Sequence, residues 1–151
     1  FKHTYDNETG MITVNITGSQ RPTGVYLRYA HTFSTVRRDF RYARAIVADD
    51  PCKWPEIKYD GICISYKHWH KALITEEPGQ PGIFKVKPPQ PEDGHWTGYY
   101  VQIFFEGEKG GLSWLGLNDH YEVTTPGYVW PNTLPFDDCS SIEGTCKSIL
   151  V

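Results

Sequence analysis

Apolar and polar residues alternate with a period of two along several short stretches of the chain, the spacing of strands with one buried face. Residues 11–17 read M-I-T-V-N-I-T, with Ile12, Val14 and Ile16 on one face and Thr13, Asn15 and Thr17 on the other. Residues 25–33 put Val25, Leu27, Tyr29, His31 and Phe33 together, after a turn at 20–24 built on Pro22 and Gly24. Two further strands are predicted at 62–66 and 70–75, separated by Lys67 and His68, and a short one at 83–86 after the turn-rich 76–82. Pro88, Pro89 and Pro91 make 87–94 a stiff extended connector that ends in a turn at Asp93-Gly94.

The strongest strand is 97–105. Tyr99, Val101, Ile103 and Phe105 face one way, while Tyr100, Gln102 and Phe104 face the other, which predicts a central strand covered on both sides. A hairpin loop at 107–111 and a last strand at 119–125 follow. Residues 37–47 are mixed, since Arg38, Arg41 and Arg44 recur every third position in the manner of either a helical turn or an irregular strand.

Composition supports the same reading. The chain has 151 residues, 14 glycines and 11 prolines spread along it, and 15% aromatic residues, so few windows could sustain a long helix. The expected fold class is all-β, an immunoglobulin-like or fibronectin-like antiparallel β-sandwich, from about seven short strands at intervals of roughly 8–12 residues. Residues 1–125 form the sandwich, and 126–151, where the alternation stops, form a Pro-rich tail packed on it. A formal charge of −3 argues against a nucleic-acid partner. No apolar run approaches the roughly 18 residues of a membrane helix, so no membrane span is expected.

Cys52, Cys63, Cys139 and Cys146 form an even set without the C-x₂-C spacing of zinc knuckles. Four cysteines allow three connectivities, and the shortest loops to close are Cys52–Cys63 and Cys139–Cys146. Two N-x-[ST] sequons, at Asn7 and Asn15, are predicted glycan acceptors. Cysteines and sequons together point to a secreted, extracellular location. Phe1-Lys2-His3-Thr4-Tyr5 is not a leader peptide, so the chain is expected to be a mature form or a piece of a longer precursor, with Phe1 a point of processing.

The sequence offers little catalytic chemistry. It lacks a G-x-S-x-G elbow and a phosphate-binding glycine loop, and no enzyme activity is expected within these residues. His68 and His70 would share one face of a strand, but a zinc ion needs a third ligand, and His31, His95 or His120 would have to be brought there by the fold. No metal or cofactor is therefore expected. In R-R-D-F-R, Asp39 is predicted to pair with Arg38 or Arg41 while Phe40 anchors the segment, a structural lock. Trp96, Tyr99, Tyr100 and Trp114 could form a carbohydrate platform, although aromatics at strand spacing usually fill a core.

Two segments, R-R-D-F-R-Y-A-R at 37–44 and G-H-W-T-G-Y-Y-V-Q-I-F-F at 94–105, resemble the PhoPQ-activated pathogenicity-related proteins and their eukaryotic, autocrine-proliferation-repressor-like branch. In that family a T-R-D-F-R segment precedes a G-W-T-A-F-F-V-E strand by several tens of residues; here His95 is inserted before Trp96. P-F-D-D-C at 135–139 and C-K-S-I-L-V at 146–151 are similar to the repressor branch. The resemblance implies a β-rich, immunoglobulin-like C-terminal domain, with a hydrolase-like N-terminal domain or chain of the same precursor as partner. It further implies a secreted growth-regulatory signal acting through a cell-surface receptor as the alternative role.

Overall fold

The computed structural model describes residues 1–33, 35, 38, 40, 68–107 and 120–133, together with the backbone of 43–46, 57–59 and 62–65. Every regular element among them is a strand: β1 (Lys2–Tyr5), β2 (Ile12–Asn15), β3 (Pro22–His31), β4 (Ala43–Ile46), β5 (Ile57–Tyr59), β6 (Ile62–Ser65), β7 (His70–Leu73), β8 (Ile83–Val86), β9 (Thr97–Glu106), β10 (His120–Thr124) and β11 (Tyr128–Trp130). They form a smaller sheet in the order β1-β2-β8, and a larger one in the order β10-β9-β3-β7 with β11 also beside β9. A third sheet, β4-β6-β5, is inserted in sequence between β3 and β7, which are themselves adjacent antiparallel neighbours. All pairings are antiparallel.

The first two sheets bury their inner faces in one core. Ile12, Val14 and Phe84 from the smaller sheet meet Val25, Leu27, Tyr99, Val101, Ile103 and Phe105 from the larger. Ile12, Val14, Val101 and Ile103 are fully shielded from solvent. Each such side chain stabilises the fold by about 1.5–3 kcal/mol through removal from water. The periodicity of residues 11–17 and 97–105 thus translates directly into two facing apolar surfaces, and β9 is central, flanked by β3 on one side and by β10 and β11 on the other.

Three features differ from the periodic reading. The segment 20–24, expected as a turn, is partly strand: β3 starts at Pro22, with a register irregularity between Pro22 and Gly24. Proline is tolerated there because it is the first residue of the strand and lies beside a bulge. β1 carries no apolar alternation and is held as an edge strand by its pairing with β2. Finally, regular structure continues past Pro126. β11 follows β10 along the same edge of β9, with Thr124 opposite Gln102 but Tyr128 opposite Tyr99, so the edge holds one residue more than β9 across that interval. The buried Thr125 bridges this interruption: its backbone N–H donates to Val101 O (3.0 Å) and its hydroxyl oxygen accepts from Val101 N–H (3.0 Å).

Candidate functional site

The two outer faces of the sandwich have different chemistry, fixed by strand register. On the smaller sheet the outward rows are Lys2, Asn15 and Ile83, then Thr4, Thr13 and Lys85, a polar surface. On the larger sheet the outward rows are Leu73, Tyr26, Gln102 and Thr124, then Lys71, Arg28 and Tyr100, with Phe104 between Gly24 and Glu122, and His120 opposite Glu106 at the far end. Aromatic rings, not hydroxyls, dominate this second face. Lys71 Nζ lies 3.8 Å from the Tyr26 ring centroid and 5.3 Å from that of Phe104. Arg28 Nε donates to Gln102 Oε1 at 2.6 Å, which satisfies a side chain that is itself buried. Trp69 packs 5.6 Å from Tyr100, and Leu73 stands 67% exposed at the rim. Aromatic and cationic groups on a flat sheet can contact a partner surface.

At one end of this face Arg38 and Phe40 meet the start of β9 at Trp96 and Gly98. Arg38 sits over the Trp96 ring, its Cζ 5.7 Å from the centroid, and the Trp96 indole N–H donates to Thr133 O at 3.0 Å. A guanidinium N–H of Arg38 donates to the same carbonyl, so two distant segments are tied to one backbone oxygen. Burial holds the Arg38 pKa below its usual value. Phe40 lies flat on the backbone of Gly98, where a built Cβ would meet its ring at 2.9 Å. Asp39 and Arg41, expected to pair within this lock, lie outside the described residues.

On the core side of the larger sheet, Tyr99 is 1% exposed and donates its hydroxyl to Gly10 O at 2.5 Å. Burial pushes its pKa far above the ordinary tyrosine value, with Tyr5 adding to the shift. Tyr5 stacks on Tyr128 at 4.0 Å, and His3 Nε2 lies 3.0 Å from the Tyr128 hydroxyl. Gly10 has φ +69°, and a Cβ there would come within 2.7 Å of the Trp130 ring. The left-handed φ and the close approach of the Trp130 ring both require this residue to remain glycine.

Of the predicted glycan acceptors, Asn7 is exposed in the turn after β1, and Asn15 is half-buried at the end of β2 on the polar outer face. The turn is pinned by the Asp6 carboxylate, which accepts from Thr9 Oγ1 at 2.7 Å and Glu8 N–H at 2.8 Å. These hydrogen bonds, that from Thr9 first, lower the Asp6 pKa. Cys52, Cys139 and Cys146 lie outside the described residues, and Cys63 is described by its backbone only, on β6 opposite Ala45 and Lys58. Of the residues named for a carbohydrate platform, Trp96 and Tyr99 are buried, Tyr100 belongs to the outer aromatic face, and Trp114 lies outside the described residues.

His68 and His70 are exposed with ring centroids 4.8 Å apart, on one side of the chain as the strand period requires. Among the described residues no three His, Cys, Asp or Glu side chains converge tightly enough to hold a metal ion. No described helix is long and apolar enough to cross a membrane.

No family model and no solved structure matches the chain. Among curated proteins it is similar to autocrine proliferation repressor protein A of Dictyostelium discoideum, 29% identical over 142 residues that make up 91% of this chain. Those residues correspond to 25% of the relative, so the chain spans about a quarter of the length of the curated protein it matches.

Proposed function

We propose that the chain is a non-catalytic, extracellular β-sandwich module of immunoglobulin-like architecture, the C-terminal part of an autocrine-proliferation-repressor-like protein. In this reading it packs on a hydrolase-like domain or chain of the same precursor through the outer face of its larger sheet. The observation that carries the reading is the contrast between the two outer faces. One carries Lys2, Thr4, Thr13, Asn15 and Lys85 around Ile83, compatible with solvent and with glycans at Asn15 and Asn7. The other presents Tyr26, Tyr100, Phe104 and Arg28, residue types that protein interfaces concentrate, beside the exposed Leu73 and Lys71. The length relationship fits: a relative four times as long leaves a large remainder for such a module to pack against. Cys52, Cys63, Cys139 and Cys146 serve as disulfide staples in this account, and the Arg38–Trp96 contact fixes the end of the face.

The test is native mass spectrometry of the protein from its natural source. Retention of a larger chain, lost when Tyr26 and Phe104 are both changed to Ser, is the expected result. A chain that remains alone at its own mass plus glycan overturns the packing proposal. A second reading is favoured by the relative's name alone: a secreted growth-regulatory signal that binds a cell-surface receptor. Saturable binding of the isolated chain to cells, with no larger chain retained, would support that reading instead.

A further inference from the structure

We propose that Tyr5 and Tyr128 form an oxidative modification site. There a haem peroxidase with hydrogen peroxide joins the two rings into a dityrosine bond that staples the two sheets, with His3 as the proton acceptor. The two residues belong to opposite sheets. Tyr5 stands opposite Ile12 on the edge strand β1 of the smaller sheet, and Tyr128 stands opposite Tyr99 on β11 of the larger. Directly paired residues share one face of a sheet, so both rings turn inward against the core. Both are half-buried. They meet face to face, with centroids 4.0 Å apart and planes 12° from parallel. At that separation facing ring carbons are in van der Waals contact, about 3.5–4 Å.

Neighbouring groups confine the reaction to this pair. His3 Nε2 lies 3.0 Å from the Tyr128 hydroxyl, placed to take its proton as the ring is oxidised. Burial, with Tyr5 adding to it, holds the Tyr128 pKa above its usual value, so the phenol is protonated at neutral pH and needs such an acceptor. Tyr99 is the other phenol nearby. Its ring is tilted by 46° with the centroid 6.2 Å from that of Tyr128, and its hydroxyl is committed to Gly10 O. The step balances in atoms and electrons. Each phenol gives up one electron and one proton, which leaves radicals with spin on the ring carbons ortho to oxygen. Two ortho carbons form one bond, and their hydrogens move to the phenol oxygens as aromaticity returns. The two electrons and two protons released reduce the peroxide to two waters.

Treatment of the full chain with a haem peroxidase and hydrogen peroxide, followed by peptide mapping, tests the site. The expected product is a monomer lighter by two hydrogens, with dityrosine fluorescence and a cross-linked peptide pair that joins Tyr5 to Tyr128. Tyr5→Phe, which preserves the ring, should abolish that product. His3→Phe should slow its formation about tenfold or more. Because the bond closes a loop that spans most of the chain, the coupled form should melt about 10 °C or more above the uncoupled one. Coupling only between molecules, as at the exposed Tyr121, or a cross-link that maps elsewhere in the chain would overturn the proposal. So would an unchanged yield in Tyr5→Phe, an unchanged rate in His3→Phe, or a coupled form that melts no higher.

Discussion

Tyr99→Phe removes one oxygen from the centre of the molecule and leaves the ring packing intact. The hydroxyl it deletes is the donor to Gly10 O, and both partners are buried, so water cannot replace it. A buried acceptor left unpaired costs about 1–3 kcal/mol. For a chain of this length each kcal/mol moves Tm by roughly 2–4 °C, so a fall of about 2–12 °C is expected at pH 7. The pH dependence is more diagnostic. Burial raises the Tyr99 pKa above the ordinary 10.0, so the folded state keeps a proton that the unfolded chain releases. The resulting stabilisation is fully present below pH 10 and declines above it, by up to about 1.4 kcal/mol per pH unit. Phenylalanine has no proton to lose. The wild-type advantage measured by urea unfolding should therefore shrink between pH 10 and pH 11. A gap that stays constant with pH, or a change in Tm below 1 °C, would refute the role assigned to this hydrogen bond.

Four further outcomes follow from the packing. Gly98→Ala drives a methyl group against the Phe40 ring, and thermal unfolding should report a loss of about 1–3 kcal/mol that Phe40→Leu partly relieves. Thr125→Val orphans the buried Val101 N–H and should cost about 1–3 kcal/mol, with faster amide exchange at Val101. Ile103→Ala, at a fully buried position, should cost about 2–5 kcal/mol in denaturant titrations. Asn15→Gln and Asn7→Gln should each remove one glycan mass from protein of the natural source, and an unchanged mass would remove those residues from the account.

What the sequence made legible was the set of strands whose apolar residues alternate. β2 and β9 show it best, because burial on a sheet face has a period of two and their side chains Ile12, Val14, Val101 and Ile103 all lie in the core. β1 and β11 escaped notice for a physical reason. Each is a short strand stabilised by ladder hydrogen bonds to a neighbour, β2 and β9 respectively, and backbone pairing leaves no signature in side-chain polarity. The site chemistry was visible only as fragments. Arg38, Trp96 and Thr133 converge although they span 95 positions of the chain, and no local pattern announces a shared carbonyl acceptor.

The central claim is that the aromatic outer face of the larger sheet, and not the polar face of the smaller one, meets the rest of the precursor. Lysine footprinting of the intact natural protein separates the two directly. Lys71 marks the aromatic face, while Lys2 and Lys85 mark the polar face. The account predicts that Lys71 is protected from acylation in the intact protein and becomes reactive in the isolated chain, with Lys2 and Lys85 reactive in both. Protection of Lys2 and Lys85 with Lys71 reactive throughout would contradict it.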